Sequence, residues 1–214
     1  MDKIDYKKLM ANLYRAPTDT FVAVDVPAMH FVKVDGKGDP NREPLYQSAL
    51  EWLYSVSYAM KFAAKGSQGR DYVVPPLEGL RWADDPEDFV ERRKTGWCWT
   101  MMIMAPDFLD QAMFEAAVHK AKKKRGEPPS SLRLEMLDEG PCLQILHVGS
   151  YDDEGPTLLK LHNEVMPAQG LTFAGPHHEI YLSDPRKAAP DKLKTLLRQP
   201  VNASADARPA RVQS

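Results

Sequence analysis

Residues 97–106 read WCWTMMIMAP, and in a strand Trp97, Trp99, Met101 and Ile103 would alternate with Cys98, Thr100, Met102 and Met104, giving two largely apolar faces. Such a strand needs cover on both sides. One face should lie under helices, and the other against a second layer, a partner or a ligand. The neighbouring segments supply helices. From Glu43 to about Lys65, Leu45, Ala49, Leu53, Val56, Met60 and Ala63 recur at three- and four-residue steps, with Pro44 suited to the first turn and Gly66 to the C-terminal cap. A second helix is expected from about Asp107 to Arg125, with Leu109, Met113, Ala116 and Ala117 inward; its cationic end, KAKKKRG, complements the free carbonyls there.

Further strands bracket these helices. TFVAVDVPAMHFVKVDGKG (20–38) holds two β-branched runs broken by Pro27, and DYVVPPLEGLRW (71–82) reads as a strand. The charged stretch ADDPEDFVERRKTG (83–96) joins it to residues 97–106, and GEPPSS (126–131) is a loop. The second half repeats the grammar: strands in SLRLEMLD and CLQILHVGSY, a helix over 154–169 with Leu158, Leu161, His162 and Val165 on one stripe, and TFAGPHHEIYL as the last strand. The order implies an α+β fold. It fits a duplicated strand-helix-strand-strand module with pseudo-twofold symmetry, a central antiparallel sheet and helices on its outer side. Residues 1–200 form the expected single domain, with repeats at about 20–106 and 107–200; 201–214, VNASADARPARVQS, reads as a flexible tail.

Composition excludes several functions. Twenty-eight basic against 30 acidic residues leave a formal charge of -2, without the positive excess that drives phosphate-backbone binding, so no direct nucleic-acid partner is expected. No stretch reaches the roughly 18 apolar residues of a membrane span, and the charged start MDKIDYKKLM is unlike a secretory signal, which points to a cytoplasmic protein without membrane contact. Cys98 and Cys142 stand far apart without zinc-ligand spacing, and His177 and His178 point to opposite faces of a strand, so no metal is expected. The glycines of VDGKGDP lack the spacing of a phosphate-binding loop, and no cofactor is inferred.

The stretches VDGKGDPN, VPPLEGLRW, WCWTMMIMAPDF, LHVGSYDDEGPT and HHEIYLSDPRK together resemble the GyrI-like small-molecule-binding family, in particular its stand-alone members, over about residues 3–201. That resemblance implies a ligand groove between two strand-helix-strand-strand halves, with a glutamate on a late strand ringed by aromatics. Glu179 matches that position. Some relatives carry the module behind a DNA-binding helix-turn-helix and act as multidrug sensors; fewer than about 20 residues precede the first expected strand here, too few for such a domain. Certain stand-alone members hydrolyse cyclopropane-bearing alkylating toxins. The resemblance therefore implies binding of hydrophobic, planar or cationic small molecules, with hydrolysis of cyclopropanoids or non-catalytic sequestration and sensing as alternatives, by a monomer or homodimer.

The residues themselves leave several roles open. In GPHHEIYLSDP (175–185), His177, Glu179, Tyr181 and Ser183 share one strand face and His178, Ile180 and Leu182 the other. A carboxylate beside aromatics can pair with a cation while rings add cation-π attraction, or can take a proton from water. Glu179 is the candidate general base, and Tyr151 or Tyr181 a hydrogen-bond donor to a developing oxyanion. Trp82, Trp97 and Trp99 are candidates for a flat ligand, Trp97 and Trp99 serving either as a groove wall or as core. Glu78 is a second site carboxylate or a residue of a strand bend, and His147 a ligand contact or a hydrogen-bonded core histidine. Arg81 occupies a place where relatives often carry an aromatic, which bears on the shape of this wall.

Overall fold

The computed structural model describes residues 3–40, 42–83 and 96–204; the charged stretch 84–95 and residues 205–214 of the expected tail lie outside the described residues. Nine strands form one sheet, β1 (Val22–Val26), β2 (Met29–Lys37), β3 (Leu77–Ala83), β4 (Trp97–Ala105), β5 (Arg133–Leu137), β6 (Gly140–Val148), β7 (Leu171–Phe173), β8 (His177–Tyr181) and β9 (Lys194–Ala203). The spatial order is β1-β6-β9-β8-β3-β4-β2-β5, with β7 added against β9, and every pairing within it is antiparallel. The sheet is not closed into a barrel.

This order contains its own symmetry. In the first half β2, a helix, β3 and β4 fold so that β4 lies between β2 and β3; in the second, β6, a helix, β8 and β9 fold so that β9 lies between β6 and β8. The halves meet at the β3–β8 seam, where Gly79 stands opposite Glu179 and Arg81 opposite His177. Their remaining strands are exchanged: β1, which leads into β2, pairs with β6, while β5, which leads into β6, pairs with β2. The pairs Val22↔Gln144 to Val26↔Gly140 and Met29↔Leu137 to Lys33↔Arg133 keep one register throughout. The two connections, Pro27–Ala28 and Asp138–Glu139, thus interrupt a single long two-stranded ribbon at its midpoint. Pro27 lacks a backbone N–H and cannot donate to a ladder, which fits its place in that interruption.

Helix α1 (Tyr6–Leu9) is a single turn capped by Asp5, whose side chain accepts from the backbone N–H of Lys7. Helix α2 (Pro44–Ser67) covers β2 and β4, burying Ala49, Trp52, Leu53, Val56, Met60 and Ala64 against Val32, Val34, Trp99, Met101 and Ile103. The buried stripe ends on Ala64 where the spacing favoured Ala63, and Leu45 is exposed. Helix α3 (Gln111–Arg125), capped by Asp110, packs on α2. The corresponding element of the second half begins as α4 (Gly155–Lys160), passes through a π turn at Leu161–Val165 and ends as α5 (Met166–Ala168). Leu161 and Met166 rest on Leu143 and Val201. Because Leu143 and Ile145 share a face, and Ile145, Leu197 and Glu179 are successive cross-strand partners, both helical elements lie on the Glu179 side of the sheet.

The reverse face explains the second apolar side of β4. Met102 and Met104 pack there with Leu13, Tyr14, Val26, Met29, Phe31, Leu80, Cys142, Ile180 and Leu196, so the bent ribbon and the N-terminal segment form the missing cover. Strand β9 departs from the sequence reading, which ended the strands near Leu182. Thr195, Arg198 and Gln199 are buried alongside Leu196 and Leu197, so polar and apolar residues do not alternate and the period-two signal is lost. Val201–Ala203, read as the start of the tail, belong to this strand and pair with β7. Residues 71–76 are likewise not strand; Tyr72 makes an isolated bridge to Ile4, and β3 begins only after Pro75–Pro76.

A buried polar network crosses the reverse face. The His178 Nδ1 lies 2.9 Å from Glu139 Oε1 and its Nε2 2.9 Å from Glu78 Oε2, while Tyr14 donates to Glu78 at 3.3 Å. Arg198 donates to Glu139 at 3.3 Å and to the Leu13 carbonyl at 2.6 Å, and Gln144 donates to the Asn12 and Arg15 carbonyls. The N-terminal segment is thereby fastened to the sheet by its carbonyls. Burial opposes the charge on His178, but Glu139 and then Glu78 hold its pKa up at about 9; burial also opposes the Glu139 carboxylate, but His178 and Arg198 hold it down at about 2. On the other face burial pushes the neighbouring His177 down to about 4. Adjacent histidines therefore carry opposite shifts.

The signs define a stability profile. His178, raised above its ordinary 6.5, contributes stability that is full below that pH and is lost as pH climbs through about 9. His177, depressed, contributes stability present above 6.5 and lost as pH falls toward about 4, and Glu139 adds a further loss between 4.5 and about 2. Denaturant unfolding across pH should give a maximum near pH 6.5. His178→Gln should lower stability by about 3–5 kcal/mol, since it strands buried carboxylates, and should flatten the alkaline decline; an unchanged alkaline limb would show that His178 is not charged in the native state.

Candidate functional site

The helix-side face of the β3–β8 seam brings together residues far apart in sequence. Across β8, β3, β4 and β2 runs the row His177, Arg81, Trp99, Gly36, each the cross-strand partner of the next. Beside it Glu179 stands opposite Gly79, and beyond that Tyr181, Thr195 and His147 make a third row over β8, β9 and β6. Glycine at position 79 leaves room that a side chain would crowd. A Cβ would come within 3.0 Å of Met101 Sδ and 3.3 Å of the Tyr181 hydroxyl, so its absence lets the Tyr181 phenol lie back across the seam toward Glu179. Gly36 similarly yields its side-chain space to the indole of Trp99.

Glu179 is 6% exposed and tightly held. Arg81 donates from Nε to Glu179 Oε2 at 2.8 Å, the Tyr181 hydroxyl donates to the same oxygen, and Arg81 Nη2 donates to the Tyr181 oxygen at 2.8 Å. Glu179 Oε1 receives no hydrogen bond from a described residue. Burial alone would raise the carboxyl's pKa, but Arg81, then His177 and Tyr181, outweigh it and hold it below the ordinary carboxylate value, so Glu179 is an anion at neutral pH. The same environment raises the Tyr181 phenol, through burial first, and keeps it a neutral donor.

Aromatic rings surround this triad. Tyr151 follows β6 on a short 3₁₀ turn, and its ring meets that of Tyr181 edge-on at 5.6 Å; it is 37% exposed and burial pushes its pKa up to about 12. Tyr46, from the first turns of α2, meets Trp99 edge-on at 5.2 Å. His147 Nε2 lies 3.0 Å from the Ser150 carbonyl and so braces the turn that carries Tyr151. Trp97 is half-buried at the start of β4, on the Trp99 face.

Two of the sequence candidates lie across the sheet from the others. Trp82 packs with Leu80 and Ile180 on the reverse face, and Glu78 belongs to the His178 network there. Both follow from strand alternation once the register is known: Glu78, Leu80 and Trp82 take one side of β3, Gly79 and Arg81 the other. Sequence reading missed Arg81, Tyr46 and His177 as participants. Arg81 shares its parity with Gly79, a usable signal, but only the pairing of β3 with β8 shows that this parity faces Glu179. Two shallow grooves of about 490 and 310 Å³ lie along α2 and α3 and around α3 and its following loop, and Glu179 lines neither.

The GyrI-like small molecule binding domain family matches residues 20–202, and the chain belongs to that family. An uncharacterized conserved protein from Listeria innocua is 41% identical, with a TM-score of 0.84, over 94% of this chain and 100% of that one. A hydrolase from Listeria innocua is 40% identical, with a TM-score of 0.79 and the same coverage. The C-terminal domain of EcmrR, 12% identical with a TM-score of 0.53 over 86% of this chain and 98% of that one, is similar in fold. No curated protein matches the chain significantly.

The packing of Trp99 on Gly36 is open to a direct check. Gly36→Ala should displace the indole and destabilise the protein by about 1–3 kcal/mol, the usual range for overpacking. Trp99→Leu in the same chain should recover part of that loss in a double-mutant cycle; strictly additive effects would mean the two positions do not press on each other.

Proposed function

We propose that this small-molecule-binding domain is a hydrolase of flat, cyclopropane-bearing electrophiles, with Glu179 orienting and deprotonating the attacking water and Tyr151 donating a hydrogen bond at the mouth of the site. The observation that carries this reading is the asymmetric hold on Glu179: Arg81 and Tyr181 both bond Oε2, leaving Oε1 as the oxygen for a water. The similarity to a Listeria innocua hydrolase along nearly the whole chain supports it.

In the proposed reaction the water oxygen forms a bond to the methylene carbon of the strained ring and the cyclopropane C–C bond breaks. Its electron pair moves through the conjugated system onto the carbonyl oxygen, giving a phenolate. The water proton passes to Glu179 Oε1 and from there through solvent to the phenolate oxygen, which restores the carboxylate and completes the addition of one water. Tyr151, neutral across the physiological range, stabilises charge as it grows on that oxygen. A carboxylate held ionised by Arg81 is a weak base, so its contribution comes chiefly from fixing the water in line with the ring carbon.

Glu179→Gln tests the reading. The variant keeps shape and should still bind a flat neutral alkylator, while the ring-opening rate, followed through the dienone chromophore, should fall by about 10²- to 10⁴-fold. Because the Glu179 pKa is lowered, the wild-type rate should stay level through neutral pH and decline only below the ordinary carboxylate range. Ring opening no faster than in buffer, or a variant as fast as wild type, would leave a binding and sequestering role in place of hydrolysis.

A further inference from the structure

Helix α3 packs on α2 with its chain direction reversed. Gln68, just past the end of α2, reaches Met113 Sδ at 3.5 Å near the start of α3, while Arg125, at the end of α3, donates to Ser55 and Glu51 earlier in α2. The groove of about 490 Å³ runs along the outer side of this pair, walled by Phe62 and Ala63 from α2 and Ala112 and Ala116 from α3, with Asp110 and Lys120 at its two ends. Its rim is aromatic. Phe62 is 58% exposed and Tyr58, one turn earlier, 45%, with ring centroids 6.3 Å apart. Neighbouring exposed rings beside an apolar groove form a patch of the kind that marks a protein-protein contact.

The charges select the occupant. Asp110 stands at the start of α3 and Lys120 ten residues on, about 15 Å along the helix axis, and neither has an ion-pair partner among the described residues. A second α3 laid antiparallel across the groove sets Lys120 of each copy against Asp110 of the other. The two-fold axis that does this crosses the helix close to Ala116, whose small side chain lets the helices approach, and it brings the two Phe62 rings together from the middle of the α2 walls. Glu115, which would oppose itself at that axis, lines the other groove, round the side of α3. The patch is thus complementary to itself in both shape and charge.

We infer that the α2–α3 groove is a self-association surface on which two copies of this chain pair about a two-fold axis at Ala116, Phe62 meeting Phe62 and Asp110 meeting Lys120. Tyr46 lies at the other end of α2, so the pairing leaves the Glu179 site of each copy uncovered and does not depend on its chemistry. Two helices wide and about three turns long, the contact is at the small end of specific interfaces, which makes the dimer a weak one with Kd of about 10–100 μM.

Sedimentation equilibrium of the full chain from about 1 to 500 μM tests this. Wild type should pass from monomer to dimer across that range. Phe62→Glu changes an exposed side chain and should keep the thermal midpoint while raising Kd at least about tenfold. Lys120→Glu sets acid against acid at both ends and should weaken the dimer several-fold; adding Asp110→Asn, which keeps a helix-capping side chain and removes the opposing charge, should recover part of that loss. Under mild oxidation Ala116→Cys should give a covalent dimer, whereas Glu115→Cys and the wild type, with Cys98 and Cys142, should not. Three results overturn the inference. They are a wild type that stays monomeric at about 500 μM, which would leave the groove to a different protein; a dimer indifferent to both Phe62→Glu and Lys120→Glu, which would put the contact on another face; and equal cross-linking of the two cysteine variants.

Discussion

The ion pair between Arg81 and Glu179 crosses the seam where the two halves of the sheet meet, and the site is organised around it. Two charges removed from water are tolerable there only because each has several partners: the carboxylate takes two hydrogen bonds on one oxygen, and the guanidinium reaches both Glu179 and Tyr181. Removing one member of such a pair typically costs about 3–5 kcal/mol, because the other is left buried and unpaired. The pair also sets the chemistry. It fixes Tyr181 as a donor to the carboxylate, and it sets a positive charge directly against that of Glu179.

The opposite face of the same strands uses charge for a structural purpose. Glu78, His178, Glu139 and Arg198 neutralise one another, and the surplus donors of Arg198 and Gln144 reach the backbone carbonyls of the N-terminal segment. Alternation along β3 and β8 separates the two networks: position 78 against 81, position 178 against 179. A side chain one residue away along either strand therefore belongs to a different device, with a different consequence for pH.

Much of this could be read from residues in order. The two apolar faces of WCWTMMIMAP required cover on both sides, and the structure supplies helices on one and the bent ribbon with the N-terminal segment on the other. The alternation of HHEIYL placed Glu179 and Tyr181 on one face and His178 on the other. Strand β9 was hidden because its polar residues are buried as deeply as its leucines, Arg198 and Gln199 finding partners distant in sequence. Arg81 was visible as an unusual residue, yet its role depends on the β3–β8 register, which no local pattern encodes. Trp82 and Glu78, attractive by type, lie across the sheet for the same reason.

The exchanged strands of the ribbon bear on how such a duplicated chain can be assembled. Because β1 completes the second half and β5 the first, neither repeat owns all the strands it needs. A chain cut in the loop between α3 and β5 would leave two fragments, each with an unpaired sheet edge that fits a strand of the other, so the parts should reassociate without a covalent link. A single repeat made twice would meet its complement in a second copy of itself. The fold is thus one that a homodimer of half-length chains could have built before the two were joined, with the seam of the sheet standing where the dimer axis would have been.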